Sequence, residues 1–262
     1  MVRVTSADGT PIAVERHGSG PPVVLVGGAL CDRAAHRQLA EQLAGSFTAV
    51  TYDRRGRGDS GVTTPYSVER EAEDLRAVVE ALGGRASVYG HSSGAGLVLR
   101  AAAHGVPVDR VVLHEPPYNP DDEEARLATR DYVVDLDRLL AERRHDEAVQ
   151  LFLTTVGLPP DTVEQLRSEP SWPGMVAMAP TLAYESEVMG DRSGGTIPVD
   201  EAGRVGVPAL VLTGGASPAW MIEIGRQVAA AMPRGRHEVL EGQEHVVAPE
   251  ILAPVLAGFL ST

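Results

Sequence analysis

Cysteine is almost missing from this chain of 262 residues, which contains only Cys31. A single thiol cannot form an internal disulfide, so no disulfide framework supports the fold. Lysine is missing altogether, because all 23 basic residues are arginine. We attribute this to coding bias, and it excludes no function. A chain of this length can bury roughly three quarters of its unfolded surface, enough for one large core and a small appendage.

Long apolar runs and an excess of basic charge are also missing. No apolar run approaches the roughly 18 residues that predict a membrane-spanning helix. The formal net charge is −13, and such a surface repels the phosphates of nucleic acids and anionic membranes. We therefore expect a neutral, apolar small-molecule substrate, with no nucleic acid or membrane as partner. The first residues begin a strand and not a signal peptide, which indicates a cytoplasmic protein. The oligomeric state stays open, with a homodimer as one option.

Strand and helix patterns alternate along most of the chain. Residues 2–7 and 12–16 predict an opening hairpin, and the apolar run 22–26 is typical of a buried parallel strand. Further strands are predicted at 47–53, 86–89, 110–114, 208–213 and 237–240, and helices at 32–43, 67–82, 95–103, 218–231 and from about 249. The pattern predicts an α/β fold with a mostly parallel eight-stranded sheet and helices on both faces.

The turn Gly90-His91-Ser92-Ser93-Gly94 lies between a predicted strand and a predicted helix. A nucleophile at such a junction needs a sharp turn, so the positions two before and two after it must carry almost no side chain. Glycines occupy both positions. Although Gly-x-Ser-x-Gly is common in loops, the flanking strand and helix favour Ser92 as a catalytic nucleophile.

A serine hydroxyl needs a base within hydrogen-bond reach and a third group that orients the base. His245 lies in a loop between the last predicted strand and the last helix, at the sheet edge where the other strands end. We therefore predict that His245 is the base. We expect surface or packing roles, with no link to the serine turn, for His17, His36, His104, His145 and His237, and we expect His91 to face away from the reaction.

The orienting acid is predicted to be Glu115. The loop after the strand 208–213, where an acid would usually be sought, contains no carboxylate. Glu115 directly follows the preceding strand, and the two prolines after it stiffen the turn. A solvated loop carboxylate is the alternative for this residue.

The oxyanion of a tetrahedral intermediate needs two N–H donors. We predict the backbone amides of Ser93 and Ala29, the latter in the small-residue turn that follows strand 22–26. The alternative is that the glycines there only turn the chain. The arginine-rich segment 52–60 lacks the ending of a phosphate-binding loop and is interpreted as a structural turn. No histidine pair has zinc-ligand spacing, so we predict no metal site and no cofactor.

Residues 118–206 interrupt the strand–helix alternation and predict a helical lid, with 1–117 and 207–262 as the core. Helices are expected at 122–142 and 146–156. Insertions of this kind lie at the carboxyl ends of strands, where ligands bind, so the lid should cover Ser92. We expect five lid residues to line an apolar pocket, with packing of the lid onto the core as the alternative for each: Trp172, Met175, Met178, Leu182 and Tyr184.

These motifs together resemble those of the serine hydrolases of the α/β-hydrolase fold, and the resemblance covers nearly the whole chain. Residues 53–60 are similar to a segment often seen in that superfamily after its fourth strand. Residues 90–95 and His114-Glu115-Pro116-Pro117 resemble the fungal zearalenone lactonases, whose orienting acid is a glutamate after the sixth strand. That resemblance implies a triad of Ser92, Glu115 and His245 and suggests lactone hydrolysis. It does not extend to the lid, so it does not imply a macrocyclic substrate.

We therefore expect a serine hydrolase that cleaves a carboxylic ester or lactone in two acyl-transfer steps. A thioesterase, a carbon–carbon bond hydrolase or a perhydrolase of the same fold would use the same residues. A non-catalytic protein that binds a small molecule is an alternative of a different class.

Overall fold

A computed structural model describes residues 2–261, whose strands form an eight-stranded sheet. In chain order the strands are β1 (Val2–Thr5), β2 (Pro11–His17), β3 (Pro22–Val26), β4 (Thr48–Tyr52), β5 (Ala86–His91), β6 (Val108–His114), β7 (Ala209–Gly214) and β8 (Gly235–Leu240). Their order across the sheet is β1-β2-β4-β3-β5-β6-β7-β8. β2 pairs antiparallel with both β1 and β4, and the remaining neighbours are parallel. The predicted mostly parallel sheet with an opening hairpin is confirmed.

Eleven α-helices lie within the described residues, and side chains cap two of them. They are α1 (Arg37–Leu43), α2 (Val68–Glu80), α3 (Ser93–Ala103), α4 (Glu123–Ala141), α5 (His145–Thr155), α6 (Pro160–Arg167), α7 (Trp172–Met178), α8 (Leu182–Met189), α9 (Val199–Ala202), α10 (Ala219–Ala231) and α11 (Pro249–Leu260). Ser67 and Asp122 cap α2 and α4, each accepting a hydrogen bond from an amide three residues later. Within residues 2–261, every helix is too short or too polar to span a lipid bilayer.

Both faces of the sheet are covered by helices. Leucines of α1 and α11 form one buried cluster with sheet residues that include Leu25 and Leu212. On the opposite face, Gly225 of α10 lies so close to Thr213 that a Cβ at position 225 would come within 2.4 Å of the threonine side chain. Since neighbouring residues of a strand point to opposite faces, the side chains of Leu212 and Thr213 mark the two layers. Burying one leucine side chain fully stabilises the folded state by about 1.5–3 kcal/mol relative to leaving it exposed.

Residues 119–196 form a compact unit of their own, and residues 2–118 together with 197–261 form the unit that contains the sheet. The sequence predicts a smaller unit of residues 118–206. In the structure this unit ends at residue 196, and residues 197–206, which include the short helix α9, belong to the sheet unit. Within the smaller unit α4 packs on α5. Its assignment as a lid stays a prediction.

The predicted helix at 32–43 is only partly correct. Residues Arg33–His36 form a 3₁₀ turn, which Asp32 begins by accepting a hydrogen bond from the Ala34 amide, and α1 follows. The sequence analysis also missed helices α6 to α9. Proline is the reason for α6 and α7, because it suggests a break but is well tolerated in the first helical turn, where Pro160 and Pro173 lie.

Candidate active site

Ser92 lies at the turn between β5 and α3, in a backbone conformation that non-glycine residues rarely adopt. Its φ is 55° and its ψ is −130°. The neighbouring glycines leave no room for a side chain: a Cβ at Gly90 would lie 2.5 Å from the carbonyl oxygen of Gly94, and a Cβ at Gly94 would lie 2.5 Å from that of Val26. The Ser92 amide donates to the carbonyl of His114 at 2.9 Å. The strained turn is thereby attached to the end of β6.

His245 and Glu115, which lie 130 residues apart in the chain, are hydrogen-bonded. His245 Nδ1 lies 2.6 Å from Glu115 Oε2. An ionised carboxylate can only accept, so this contact places a proton on Nδ1 and leaves Nε2 of the neutral ring as a proton acceptor. The Glu115 side chain is fully buried, whereas the His245 side chain is 41% exposed. In this pair Nδ1 donates to the acid and Nε2 accepts a proton, which is the arrangement that a general base with its orienting acid requires.

Glu115 also accepts hydrogen bonds from the loop that follows β7. Its Oε1 accepts from the Gly214 amide at 2.7 Å and from Ser217 Oγ at 2.6 Å. Burial alone would raise the pKa of Glu115, but the hydrogen bonds from His245, Ser217 and Gly214 outweigh it and leave that pKa below its ordinary value. The loop after β7, which contains no carboxylate, thus supplies two hydrogen-bond donors. These donors keep Glu115, at the end of the neighbouring strand β6, ionised.

Ser217 is a site residue that the sequence analysis missed. A serine in a loop carries no sequence signal of this role until the partner carboxylate is known. The backbone of Glu115 was equally unpredictable: its φ is 48°. Positive φ at a non-glycine residue is strained, and surrounding contacts must maintain it.

The loop after β3 lies against Ser92, the predicted nucleophile. A Cβ on Gly28 would come within 2.9 Å of Ser92 Cβ and 3.5 Å of Ser92 Oγ. Ala29, whose amide is a predicted oxyanion donor, is the next residue and is half-buried. Ser93, the other predicted donor, is the first residue of α3, where amides have no partner within the helix and the helix dipole favours negative charge.

Histidine rings contact one another beside the serine turn, and this corrects two expectations. His91 Nε2 lies 2.9 Å from the carbonyl oxygen of His245, and the two rings are 4.6 Å apart, so His91 contacts the predicted base. The ring of His36 was expected to have no link to the turn but lies 5.9 Å from that of His91. Burial lowers the pKa of His36 to about 4, and burial together with His114 and His245 lowers that of His91 well below its ordinary value. Both rings are therefore neutral at physiological pH.

The arginine-rich turn after β4 is buried, which its composition did not suggest. Arg54, Arg55 and Arg57 are each at most 2% exposed. Arg54 pairs with Glu71 of α2 at 2.5 Å, and Arg55 pairs with Asp74 of the same helix at 2.7 Å. The segment is a structural turn, as predicted, but it also reaches the loop after β3.

The predicted lid residues lie in the smaller unit, around α7 and α8. Trp172 is 6% exposed, and its indole N–H donates to Asp146 at 2.7 Å. Leu182 has no exposed surface, and the other three are half-buried: Met175, Met178 and Tyr184. Their role in substrate binding stays a prediction. No group of three or more histidine, cysteine or acidic side chains within residues 2–261 is arranged to bind a metal ion.

Comparison with known proteins agrees with this architecture. The sequence model of the alpha/beta hydrolase family matches residues 23–254. The structure of an alpha/beta hydrolase from Sphaerobacter thermophilus is 53% identical, with 98% of this chain and 99% of that chain covered and a TM-score of 0.89. A thermophilic esterase from Thermogutta terrifontis is 24% identical over 99% of this chain and 97% of that chain, with a TM-score of 0.71, which shows the shared fold alone.

A curated relative matches over a shorter stretch. N-formylmaleamate deformylase from Pseudomonas putida is 34% identical over 122 residues, which is 45% of this chain and 46% of the relative. The chain thus aligns with less than half the length of that relative. The family match covers most of the chain, and the Sphaerobacter structure covers nearly all of it. The chain therefore belongs to the alpha/beta hydrolase family.

Proposed function

We propose that the protein is a serine hydrolase that cleaves a carboxylic ester or lactone through an acyl-enzyme on Ser92. The observation that carries the proposal is the 2.6 Å contact between His245 Nδ1 and the buried carboxylate of Glu115, at the sheet edge where Ser92 occupies its strained turn. Strained backbone of this kind clusters at active sites. Membership of a family of hydrolases supports the same conclusion.

In the first step His245 Nε2 removes the Ser92 hydroxyl proton while Oγ attacks the carbonyl carbon. Glu115 stabilises the imidazolium that results, and the amides of Ala29 and Ser93 stabilise the oxyanion. The imidazolium then gives its proton to the leaving alkoxide, which departs as the alcohol. In the second step His245 activates a water molecule, which releases the acid and regenerates Ser92. In a lactone the alcohol and acid belong to one molecule.

The rival activities use the same residues and differ in the bond that is cleaved. The resemblance to zearalenone lactonases favours a lactone and stays a prediction. The similarity to a deformylase favours a second candidate, hydrolysis of an N-formyl amide by the same serine and base. A thioesterase, a carbon–carbon bond hydrolase and a perhydrolase remain alternatives. We further propose that the substrate is neutral and apolar, that residues of the smaller unit such as Met175 and Met178 contact it, and that the protein acts in the cytoplasm.

A substrate panel tests the proposal. We expect the wild type to hydrolyse at least one member of a panel of short-chain p-nitrophenyl esters, long-chain esters, lactones, thioesters and N-formyl amides. Ser92→Ala should lose this turnover, because the other hydroxyl of the turn, that of Ser93, belongs to a buried residue of α3. Ser87→Ala, a serine change on the same strand β5, is the matched control and should retain it.

The panel also separates the proposal from its rivals. Preference for thioesters or formyl amides over every ester and lactone would replace the proposed substrate class while leaving the role of Ser92 intact. Tight binding of a small molecule with negligible turnover across the panel would favour the non-catalytic alternative. Equal turnover by wild type and Ser92→Ala would contradict the proposal.

A further inference from the structure

Two buried arginines contact the main chain of the loop after β3. Arg57 Nη1 donates to the carbonyl oxygen of Gly28 at 2.6 Å and to that of Cys31 at 3.4 Å. Arg54 Nη1 donates to the carbonyl of Gly27 at 3.3 Å while the rest of its guanidinium binds Glu71. Neither arginine is needed for the steps described above. Their shared target is the loop that carries the Ala29 amide.

The Arg57 contact fixes the peptide bond between Gly28 and Ala29. That bond is planar and trans, so the N–H of Ala29 points opposite to the C=O of Gly28. With the carbonyl directed at Arg57, the amide of Ala29 is directed to the other side of the peptide. Gly28 itself lies against Ser92, as the 2.9 Å approach of a Cβ at that position indicates. The orientation of the predicted oxyanion donor is therefore determined by a side chain behind the loop.

The turn from Gly28 to Cys31 needs such support. Leu30 lies in this turn with a φ of 53°, a conformation that costs a branched side chain free energy and persists only where surrounding contacts over-determine it. Arg57 Nη1 bonds to the carbonyls at both ends of the turn. These two hydrogen bonds hold the ends of the strained turn together.

The charge of Arg57 adds a second effect. Burial, together with the nearby positive charge of Arg54, lowers the pKa of Arg57 to about 9, which leaves the guanidinium charged at neutral pH. A cation on a carbonyl oxygen polarises the whole peptide group and makes its N–H a stronger donor, more so at low local dielectric. The full positive charge is also favourable to an oxyanion that forms nearby.

We propose that Arg57 is a positioning residue that orients and polarises the Gly28–Ala29 peptide as an oxyanion-hole donor, with Arg54 supporting the preceding carbonyl. The inference rests on the proposed function, because it assigns Arg57 a part in the reaction of Ser92. The arginine-rich turn would then support the oxyanion site as well as reverse the chain direction.

The test compares Arg57→Met and Arg57→Lys with the wild type, using the best ester of the panel and a boronic acid that forms a tetrahedral adduct with serine. Rates are expressed per active site, after titration. For Arg57→Met we expect kcat to fall about 10- to 100-fold, less than the roughly 100- to 1,000-fold that loss of an oxyanion donor costs. The inhibition constant of the boronate should rise by a similar factor with KM little changed, because the interaction strengthens in the transition state.

Arg57→Lys separates positioning from folding. Lysine keeps the charge and places its N–H donors on a single ammonium group, so it should recover part of the lost rate. If Arg57→Met does not fold, Arg57→Lys carries the test alone and should still show parallel changes in kcat and boronate affinity. The matched control is Arg55→Lys: Arg55 is equally buried but bonds to Asp8, Asp74 and the Arg70 carbonyl, so this change should lower the unfolding temperature and leave kcat per site unchanged.

Two outcomes would overturn the inference and are distinguishable. If the wild type hydrolyses the ester and binds the boronate, but kcat per site of both Arg57 variants stays within about twofold of it, Arg57 has no positioning role and the proposed function stands. If the wild type neither hydrolyses any ester nor binds the boronate, the proposed function fails and the inference fails with it.

Discussion

Glu115 accepts three hydrogen bonds with its two carboxylate oxygens, and this explains why a glutamate is needed there. His245 donates to one oxygen, and Gly214 and Ser217 donate to the other. A carboxylate is the only side chain of this shape that accepts at both positions, whereas glutamine accepts at one and donates at the other. In a glutamine variant, the amide nitrogen must face either His245 or the Gly214 amide.

We therefore expect Glu115→Gln to fold and to lower kcat by about 10³- to 10⁴-fold. When the glutamine nitrogen faces His245, it donates to Nδ1, and the imidazole is then held in the wrong tautomer. Steady-state kinetics on the best ester measures the change, and circular dichroism checks the fold. The controls are Asp121→Asn and Asp200→Asn, two exposed carboxylates of the chain, which should keep wild-type rates. Loss of activity at either of these positions, with Glu115→Gln unaffected, would reassign the acid.

At the scale of elements, the serine turn depends on close backbone contacts between β3, β5 and α3. A Cβ at position 94 would meet two carbonyl oxygens of the β3 end, those of Val26 and Gly27, at 2.5 and 2.7 Å. Val26 is the last residue of the central strand β3 and Gly27 follows it directly, so these atoms cannot move without disturbing the sheet. Gly258, in the exposed part of α11, has no neighbouring atom within 4 Å of such a Cβ.

We expect Gly94→Ala to lower the free energy of unfolding by about 1–3 kcal/mol, the cost of overpacking, and to reduce activity. Gly258→Ala should raise it by about 0.5–1 kcal/mol, because alanine favours helix over glycine. Urea unfolding curves of both variants measure these changes. An unchanged midpoint for Gly94→Ala would show that α3 can shift away from β3, contrary to the geometry described above.

The sequence predicted elements better than their junctions, and particular residues show why. The apolar run of β3 and the glycines around Ser92 carry local signals, so strand, turn and helix could all be predicted. The buried environment of Arg57 and the contact of His36 with His91 come from pairing between distant segments, which no local pattern reports. Ser217 belongs to the same class, because its role exists only where β6 and β7 are neighbours.

At the scale of the whole molecule, the net charge of −13 sets the electrostatic field that a substrate meets. A field of this sign slows the approach of anions and leaves neutral molecules unaffected. Salt screens the field, since the Debye length falls from about 30 Å at 0.01 M to about 10 Å at 0.1 M. The proposed neutral substrate is consistent with such a surface.

We expect kcat/KM for a neutral ester to be nearly independent of salt between about 0.01 and 0.1 M, and kcat/KM for an anionic ester of similar size to rise over the same range. Stopped-flow or steady-state rates at low substrate concentration measure both. An anionic ester that is preferred at low salt and loses kcat/KM as salt is added would indicate a local positive site and contradict the proposed neutral substrate.

Covalent labelling by a fluorophosphonate reports whether Ser92 is an activated nucleophile, because the reagent reacts with a serine only where a base activates it. We expect one adduct per chain, located at Ser92 by peptide mass spectrometry, with loss of hydrolysis in proportion to labelling. Ser92→Ala should remain unlabelled. An adduct on another residue, or equal labelling of wild type and Ser92→Ala, would contradict the assignment of Ser92 as the nucleophile.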